Sequence, residues 1–274
     1  MKLPGRLVLL GHPVAHSLSP VMQNAALAAA GIPLRYELLD VLPGALDATL
    51  ASLASDHAAG NVTIPHKERA LSGMKNVSPL ARRIGAINTF HTTNEGDLHG
   101  DNTDSVGFGA FVRATIGEEP RGVRFAIIGA GGAAAAVLAA IEKWPGCDAG
   151  IYSRTRSRAD RLVSRFPDVA RIETLSEDAP VRGEIVINAT PIGLESNDVP
   201  VSLEQLDRGA AVLDLAYTPG ETAWVRLARA EGRIASDGLA MLLEQGAAAF
   251  EIWFGVRPDR DVMWTALKTA TGRA

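Results

Sequence analysis

The chain has 274 residues, 47% of them hydrophobic and 5% aromatic, and its formal net charge is -4. This length and apolar content suffice for a sizeable core and most naturally for two domains. The near-balance of 27 basic and 31 acidic residues argues against a general nucleic-acid surface, and the single cysteine, Cys147, excludes an internal disulfide framework or a cysteine metal cluster.

The chain begins with only a short apolar run before Gly11, which is too short for the core of a signal peptide. No apolar run reaches the roughly 18 residues that a membrane span needs. We therefore expect a soluble, cytoplasmic protein.

The first part of the chain alternates short apolar runs with helical patterns. Ser19, Pro20 and Gly31 are typical of the cap, first residue and stop of a helix. Two runs on either side of "NEG" indicate a hairpin. Strands are predicted at 6–11, 34–41, 61–64, 87–93 and 97–102, and helices at 19–31, 44–55, 79–86 and 105–117.

A second alternating series begins near residue 124, which places a domain boundary near residue 105. Strands that alternate with helices predict an α/β fold with parallel sheets. This series comprises the strand–turn–helix of 124–144, the segments 148–153, 158–166, 184–190, 210–216 and 222–232, and two final helices at 239–255 and 259–271.

"AIIGAGGAAAAVLAAI" places Gly129, Gly131 and Ala134 in the G-x-G-x-x-G/A spacing between a strand and a helix. Gly129 permits the tight turn, Gly131 lets the backbone approach a pyrophosphate at the helix N-terminus, and Ala134 allows close helix–strand packing. The pattern predicts a dinucleotide site. The alternative is a glycine-rich structural turn in an unrelated α/β domain.

The next strand is followed by "SRTRSR", where an NAD enzyme would have an acidic residue. Arg154, Arg156 and Arg158 instead place positive charge where a 2′-phosphate would lie, and Arg154 and Arg158 could share a helix face. This pattern favours NADP. The alternative is a solvated basic helix start, since Arg161 and Arg165 continue the run.

The motifs "GHPVAHSLSP", "NVTIPHKE", "GAINT", "GDNTD", "GAGGA", "SRT", "NATPIG" and "DGLAMLLEQGAAAF" occur in that order over nearly the whole chain. In this combination the sequence closely resembles the shikimate dehydrogenase family. The resemblance implies NADPH-dependent reduction of 3-dehydroshikimate to shikimate, on the route to chorismate and aromatic amino acids. It also implies a substrate domain at 1–104, a Rossmann domain at 105–238, and a last helical part, 239–274, that returns to the first domain.

Carried over by motif, the resemblance places hydroxyl groups of the "SLSP" segment near the substrate carboxylate and polar groups of the other motifs around the ring. We expect a monomer or a homodimer. The implied substrate residues are Ser17, Ser19, Thr63, Lys67, Asn88, Asp104, Tyr217 and Gln245. The implied cofactor residues are Gly129, Ala130, Gly131, Gly132, Ala133, Ser153, Arg154, Thr155 and Arg158. Ser153 departs from the family pattern, in which Asn is common at this position.

The chemistry suits Lys67 and Asp104 as a catalytic pair. Hydride arriving at a ketone leaves alkoxide character on the oxygen, and a lysine can supply both charge and a proton. Asp104 could orient that ammonium group. "HKE" alone favours a solvated turn lysine for Lys67, and the full set of motifs favours the catalytic role. Asp104 or Asp101 could cap the helix near Ser105, with Asp101 preferred for that role.

Other residues have structural alternatives too. Ser19 could simply cap its helix, whereas Ser17 is harder to explain structurally. Gln245 could be an ordinary polar helix position, and His66 is not predicted to be the base. The histidines show no metal spacing, so no metal is expected. Alternative functions are a quinate or aminoshikimate dehydrogenase, with NAD or NADP as its cofactor, a folate-type dehydrogenase, and a non-catalytic NADPH-binding relative.

Overall fold

The computed structural model describes residues 3–176 and 179–273. These residues fall into two compact units. One holds the chain up to Gly107 together with the chain from Leu242 onward, and the other is Phe108–Met241. The domain limits drawn from the sequence, at 104/105 and 238/239, stay a prediction.

The first unit contains a six-stranded sheet in the order β2-β1-β3-β5-β6-β4. Strand β5 runs antiparallel to both of its neighbours, which confirms the hairpin predicted on either side of "NEG". The short connection between β5 and β6 permits a hairpin but no crossover. The strands are β1 (Leu7–Gly11), β2 (Tyr36–Asp40), β3 (Ala59–Val62), β4 (Asn76–Val77), β5 (Thr89–Thr92) and β6 (Leu98–Asp101).

Helices flank this sheet, and an apolar core fills one of its faces. The core joins Val8 and Leu10 of β1 and Phe90 of β5 to Leu46 and Leu50 of a helix, all 3% exposed or less. The first helices of the chain are α1 (Ser19–Ala29), α2 (Leu46–Ser55), α3 (Lys67–Ser72), α4 (Pro79–Ile84) and α5 (Asp104–Ile116). The sequence pattern missed α3, because six residues are too few to show a helical period.

The second unit contains a wholly parallel sheet in the order β12-β11-β10-β7-β8-β9. Taken from β9, this is the 3-2-1-4-5-6 order of a Rossmann domain, as the glycine motif predicts. Its strands are β7 (Arg124–Ile128), β8 (Asp148–Tyr152), β9 (Ala170–Glu173), β10 (Ile185–Asn188), β11 (Ala211–Asp214) and β12 (Ala235–Ser236). Its helices are α6 (Gly132–Ile141), α7 (Arg156–Arg165) and α8 (Ala223–Ala230).

The chain ends with α9 (Leu239–Phe254) and α10 (Arg260–Thr271). Helix α10 is capped by Asp259, whose carboxylate accepts from two first-turn N–H groups, and it packs against α1. The Gln23 amide of α1 donates to the Gly246 carbonyl of α9 at 3.0 Å. These contacts hold the adjacent Gln245 within the first unit. Within the part of the chain described, no helix has the length and apolar character needed to span a bilayer.

Candidate active site

Lys67 and Asp104 form a close ion pair in the first unit. The Lys67 ammonium lies 2.6 Å from Asp104 Oδ2, and the two side chains are 21% and 6% exposed. Lys67 is the first residue of α3, beyond the turn that follows β3. The alternative that Lys67 is a solvated turn lysine is wrong, because a largely buried carboxylate holds it.

The carboxylate of Asp104 is positioned by the first turn of α5. Asn102 Oδ1 accepts from the Asp104 N–H at 3.0 Å, and the Asn102 amide donates to the Ala86 carbonyl at 2.9 Å. Asp101, the cap expected from the sequence, instead accepts from the Asn102 N–H at 2.7 Å and from the Ser78 hydroxyl. Asn102 therefore satisfies the N–H of the first residue of α5, which leaves the Asp104 carboxylate facing Lys67.

Asn88 connects this pair to α9. Its Nδ2 lies 2.8 Å from Asp104 Oδ1 and 3.2 Å from Gln245 Oε1, and its Oδ1 accepts from the Thr103 N–H at 2.7 Å. Gln245 in turn donates to the Leu242 carbonyl at 2.8 Å, which directs its oxygen toward Asn88. Four of the residues implied for the substrate thus share one hydrogen-bonded network, although their roles stay predictions.

The two serines lie at the start of α1. Ser19 is already the first helical residue, and the cap position is Leu18, without a side-chain cap hydrogen bond. The capping alternative for Ser19 is therefore wrong. Ser17, which the sequence left without a structural explanation, accepts from the Ser19 N–H at 3.2 Å.

The loops that follow β1 and β3 meet at the carboxyl-terminal edge of those strands. The His12 N–H donates to the Ile64 carbonyl at 3.0 Å, and Thr63, half-buried, follows β3 directly. The bond Ile64–Pro65 is cis. His66 is 1% exposed and its ring contacts the Val41 carbonyl at 2.6 Å, an anchoring contact that fits the expectation that it is not the base.

The glycine turn of the second unit has the geometry that a dinucleotide needs. Gly129 has φ +120°, and a Cβ there would lie 2.8 Å from the Ala189 carbonyl oxygen. Gly131 caps α6, and nothing lies within 4 Å of the position of an added Cβ. This open space, with the free N–H groups of Gly132 and Ala133 behind it, fits a pyrophosphate. Ala130 completes the turn.

The segment after β8 carries the arginines. Ser153 Oγ accepts from the Thr155 N–H at 3.2 Å, and Thr155 is the cap position of α7. Arg154 precedes the helix by two residues, so the shared helix face expected for Arg154 and Arg158 is wrong. Arg156 is paired with Asp160 at 3.1 Å. Among the residues that the structure describes, no carboxylate pairs with the guanidinium group of Arg154 or Arg158, and both residues are exposed.

A further polar cluster lies at the ends of β10 and β11 and includes Asn188 and Thr190 of the "NATPIG" motif, to which the sequence assigned no role. The Asn188 amide donates to Asp214 Oδ1 at 2.8 Å, and the Thr190 hydroxyl donates to Asn188 Oδ1 at 2.6 Å. Polar residues at the ends of apolar strands are the signal that could have found it. Tyr217, also in this unit, follows β11 and is half-buried.

Asp214 should make stability depend on pH. Burial raises the pKa of Asp214 from 3.8 to about 6, against the opposing hydrogen bonds from Thr222, the Ala216 N–H and Asn188. The unfolded chain releases this proton near pH 3.8 and the folded chain near 6, so stability from this group falls as pH rises through that window. The expected loss is about 3 kcal/mol, at 1.36 kcal/mol per pKa unit.

We expect Asp214→Asn to lack this loss, because a neutral amide keeps an acceptor oxygen without a titration. Urea unfolding of both proteins at pH 4, 5, 6 and 7 measures the difference in free energy of unfolding. The free energy of unfolding of the wild type should fall relative to that of the variant as pH rises from 4 to 6. The exposed Asp168→Asn is the control, and a difference independent of pH would contradict the prediction.

Comparisons with known proteins identify the family of this chain. Residues 9–90 match the family described as Shikimate dehydrogenase substrate binding domain, and residues 238–268 match Shikimate 5'-dehydrogenase C-terminal domain. The chain is 40% identical to Shikimate dehydrogenase (NADP(+)) of Symbiobacterium thermophilum, across 97% of this chain and 95% of that relative.

Solved structures show the same relationship. Shikimate 5-dehydrogenase from Thermus thermophilus, in complex with NADP(H) and shikimate, superposes with a TM-score of 0.85 at 38% identity, covering 98% of this chain and 100% of that one. The ligand-free 5-ketofructose reductase of Gluconobacter superposes with a TM-score of 0.85 at 29% identity, covering 98% and 99%. The resemblance carried by the motifs is confirmed, and the chain belongs to the shikimate dehydrogenase family.

Proposed function

We propose that this protein catalyses the reversible, NADPH-dependent reduction of 3-dehydroshikimate to shikimate, in the biosynthesis of chorismate and the aromatic amino acids. The observation that carries the proposal is the network of Lys67, Asp104, Asn88 and Gln245. It offers an ammonium group, a carboxylate and two amides in one place. That set of donors and acceptors suits a small ring with several hydroxyls.

Lys67 acts as the proton donor to the reacting oxygen, and as the acceptor in the reverse direction. NADPH supplies the hydride when bound. The ammonium stabilises negative charge that develops on the oxygen, and Asp104, at 2.6 Å, holds that ammonium in place. Asn88 and Gln245 have amide groups that can fix the neighbouring ring hydroxyls.

Ser17 and Ser19 take the substrate carboxylate at the start of α1. The free N–H groups of a helix N-terminus favour an anion, and the first turn of α1 contains no acidic residue. Thr63, directly after β3, and the phenol of Tyr217 complete the polar contacts to substrate. These assignments follow the family motifs.

The cofactor is NADP. The turn from Gly129 to Ala133 receives the pyrophosphate, and Ser153 and Thr155 lie beside the adenosine. Arg154 and Arg158 receive the 2′-phosphate. Three arginines around the start of α7, with no acidic residue in its first turn, oppose the helix dipole. A bound phosphate relieves that repulsion.

Ser17→Ala should raise the Michaelis constant for shikimate by about ten- to a hundredfold, the size of a lost hydrogen bond to a charged group. Turnover should change less. Because Ser17 also accepts from the Ser19 N–H, the free energy of unfolding should fall by roughly 0.5–2 kcal/mol, as for a lost helix cap.

Steady-state kinetics and thermal unfolding test this, with Ser72→Ala as the control. Ser72 is exposed, and its hydroxyl donates to a backbone group, the Arg69 carbonyl, at 2.6 Å. A strongly lowered melting temperature with an unchanged Michaelis constant would assign Ser17 a structural role alone.

The proposed reaction is tested by following NADPH formation with shikimate and quinate, each with NADP and with NAD. Shikimate with NADP should be the preferred pairing. Reduction of 5-ketofructose belongs in the same panel, since a reductase of that sugar shares this fold at 29% identity. If the protein prefers quinate or 5-ketofructose, that compound and not shikimate is its substrate. If no pairing gives turnover, the protein is a non-catalytic relative.

We also infer a cytoplasmic protein that acts as a monomer or homodimer and does not bind nucleic acid. The balanced charge of 27 basic and 31 acidic residues supports the last point. Size-exclusion chromatography with light scattering determines the oligomeric state.

A further inference from the structure

A buried tyrosine lies at the start of β2, behind the network of Lys67 and Asp104. Tyr36 is 1% exposed, and its backbone is held on both sides by Asn24 of α1, which accepts from its N–H at 2.8 Å and donates to its carbonyl at 3.1 Å. Its ring rests near that of Trp253, with the ring centres 5.9 Å apart. The position of the Tyr36 hydroxyl is therefore closely defined.

That hydroxyl donates to Asn61, a polar residue within the buried strand β3. The Tyr36 hydroxyl lies 2.7 Å from Asn61 Oδ1, and Asn61 Nδ2 donates to the Asn88 carbonyl at 3.0 Å. A carbonyl can only accept, so the amide nitrogen of Asn61 must face Asn88. Its oxygen then needs a donor, and Tyr36 supplies it.

The chain of hydrogen bonds continues to the ion pair. The Asn88 carbonyl accepts from Asn61 and from the Val62 N–H at 2.8 Å, and the Asn88 side chain donates to Asp104 at 2.8 Å. Asp104 in turn holds Lys67. Five residues from separate segments thus link the start of β2 to the ammonium group.

Burying this series of hydrogen-bonded polar groups costs free energy, because the groups are removed from water. Apolar side chains at the same positions of the sheet would avoid that cost. Asn61 is 5% exposed, in a strand position where an apolar side chain would need no partner. A buried polar network whose members all find partners is rigid and favours one arrangement. Rigidity here has a use, since small displacements of catalytic groups lower rates steeply.

We propose that Tyr36 is a positioning residue, which acts through Asn61 and Asn88 to hold Asp104 and Lys67 in their reactive arrangement. This inference rests on the proposed function. Loss of the Tyr36 hydroxyl frees the Asn61 amide to turn, which loosens the Asn88 main chain and the Asp104 carboxylate that Asn88 holds.

Tyr36→Phe should lower kcat for shikimate oxidation by between about threefold and a hundredfold, since a misplacement of about 1 Å can cost a hundredfold. The Michaelis constant for shikimate should change less than kcat, and NADP affinity should stay unchanged. Tyr152→Phe is the matched control. Tyr152 is 2% exposed, and its hydroxyl accepts from the Arg182 N–H at 2.9 Å in the other unit. Both variants should melt lower, but only Tyr36→Phe should lose kcat.

The route through Asp104 is tested by combining Tyr36→Phe with Asp104→Asn. Groups that act as a unit are non-additive, so the hydroxyl should matter little once the carboxylate is gone. Asn61→Ala, which breaks the same chain one step later, provides a second variant if Tyr36→Phe does not fold, and it should show the same loss of kcat.

A folded Tyr36→Phe enzyme with kcat within about twofold of wild type would overturn the inference and leave the proposed function intact, as would fully multiplicative losses in the double variant. A wild-type enzyme that does not oxidise shikimate would overturn the proposed function, and with it this inference.

Discussion

Lys67→Ala should lower turnover of shikimate by about a hundred- to ten-thousandfold, because a positioned acid–base group typically contributes that factor. NADP affinity should survive, since the glycine turn and Arg154 belong to the other compact unit. Turnover by steady-state kinetics and NADP affinity by fluorescence titration give the two readouts. Lys75→Ala is the matched control: Lys75 is 69% exposed and pairs with Asp97 at 2.6 Å, so its loss should leave turnover unchanged.

Asp104→Asn tests the pairing itself. The amide keeps the shape of the carboxylate but loses the charge that holds the ammonium at 2.6 Å, so turnover should fall. The double variant should be barely worse than the poorer single variant, because the two residues act as a unit. Near-normal turnover of Lys67→Ala would exclude Lys67 as the proton donor, and fully multiplicative losses would exclude the pairing.

Arg154→Ala should weaken NADP binding by about one to two decades and leave NAD binding nearly unchanged. A charge-assisted contact to phosphate is worth roughly 1.5–3 kcal/mol, and only NADP carries the 2′-phosphate. Arg158→Ala should behave in the same way. Apparent dissociation constants for both cofactors, measured by fluorescence titration at one fixed ionic strength, give the comparison.

Arg156→Ala is the internal control for this series. Arg156 lies between the two other arginines but is paired with Asp160 at 3.1 Å, so its removal should affect NADP affinity less. Losses of equal size for NADP and NAD would contradict a 2′-phosphate role for Arg154. Equal losses in all three variants would indicate that only the overall positive charge of this segment matters.

Several features of the site could be predicted because they depend on residues that are neighbours in the chain. The turn around Gly129 and Gly131 is of this kind: its strand, its glycines and its helix lie within about twenty residues, and the structure has the expected Rossmann strand order. The hairpin of β5 and β6 is another, since its short connection leaves few alternatives.

Other features could not be predicted because a short polar side chain near a helix start can take several roles. The sequence favours Asp101 over Asp104 as the cap of α5 and allows Ser19 as the cap of α1. The choice depends on partners elsewhere in the chain: the Ser78 hydroxyl engages Asp101, and Asn102 accepts from the Asp104 N–H instead.

The sequence by itself determined the alternation of strands and helices, the order of the family motifs and the residue types of both sites, because hydrophobic periodicity and turn residues act over short stretches. Only the tertiary structure decided how the polar groups pair. Asn88 and Gln245, 157 residues apart, meet at 3.2 Å, and Tyr36 contacts Asn61 across the sheet. A buried polar group takes whichever partner the folded chain brings within hydrogen-bond distance, and no local pattern records that partner.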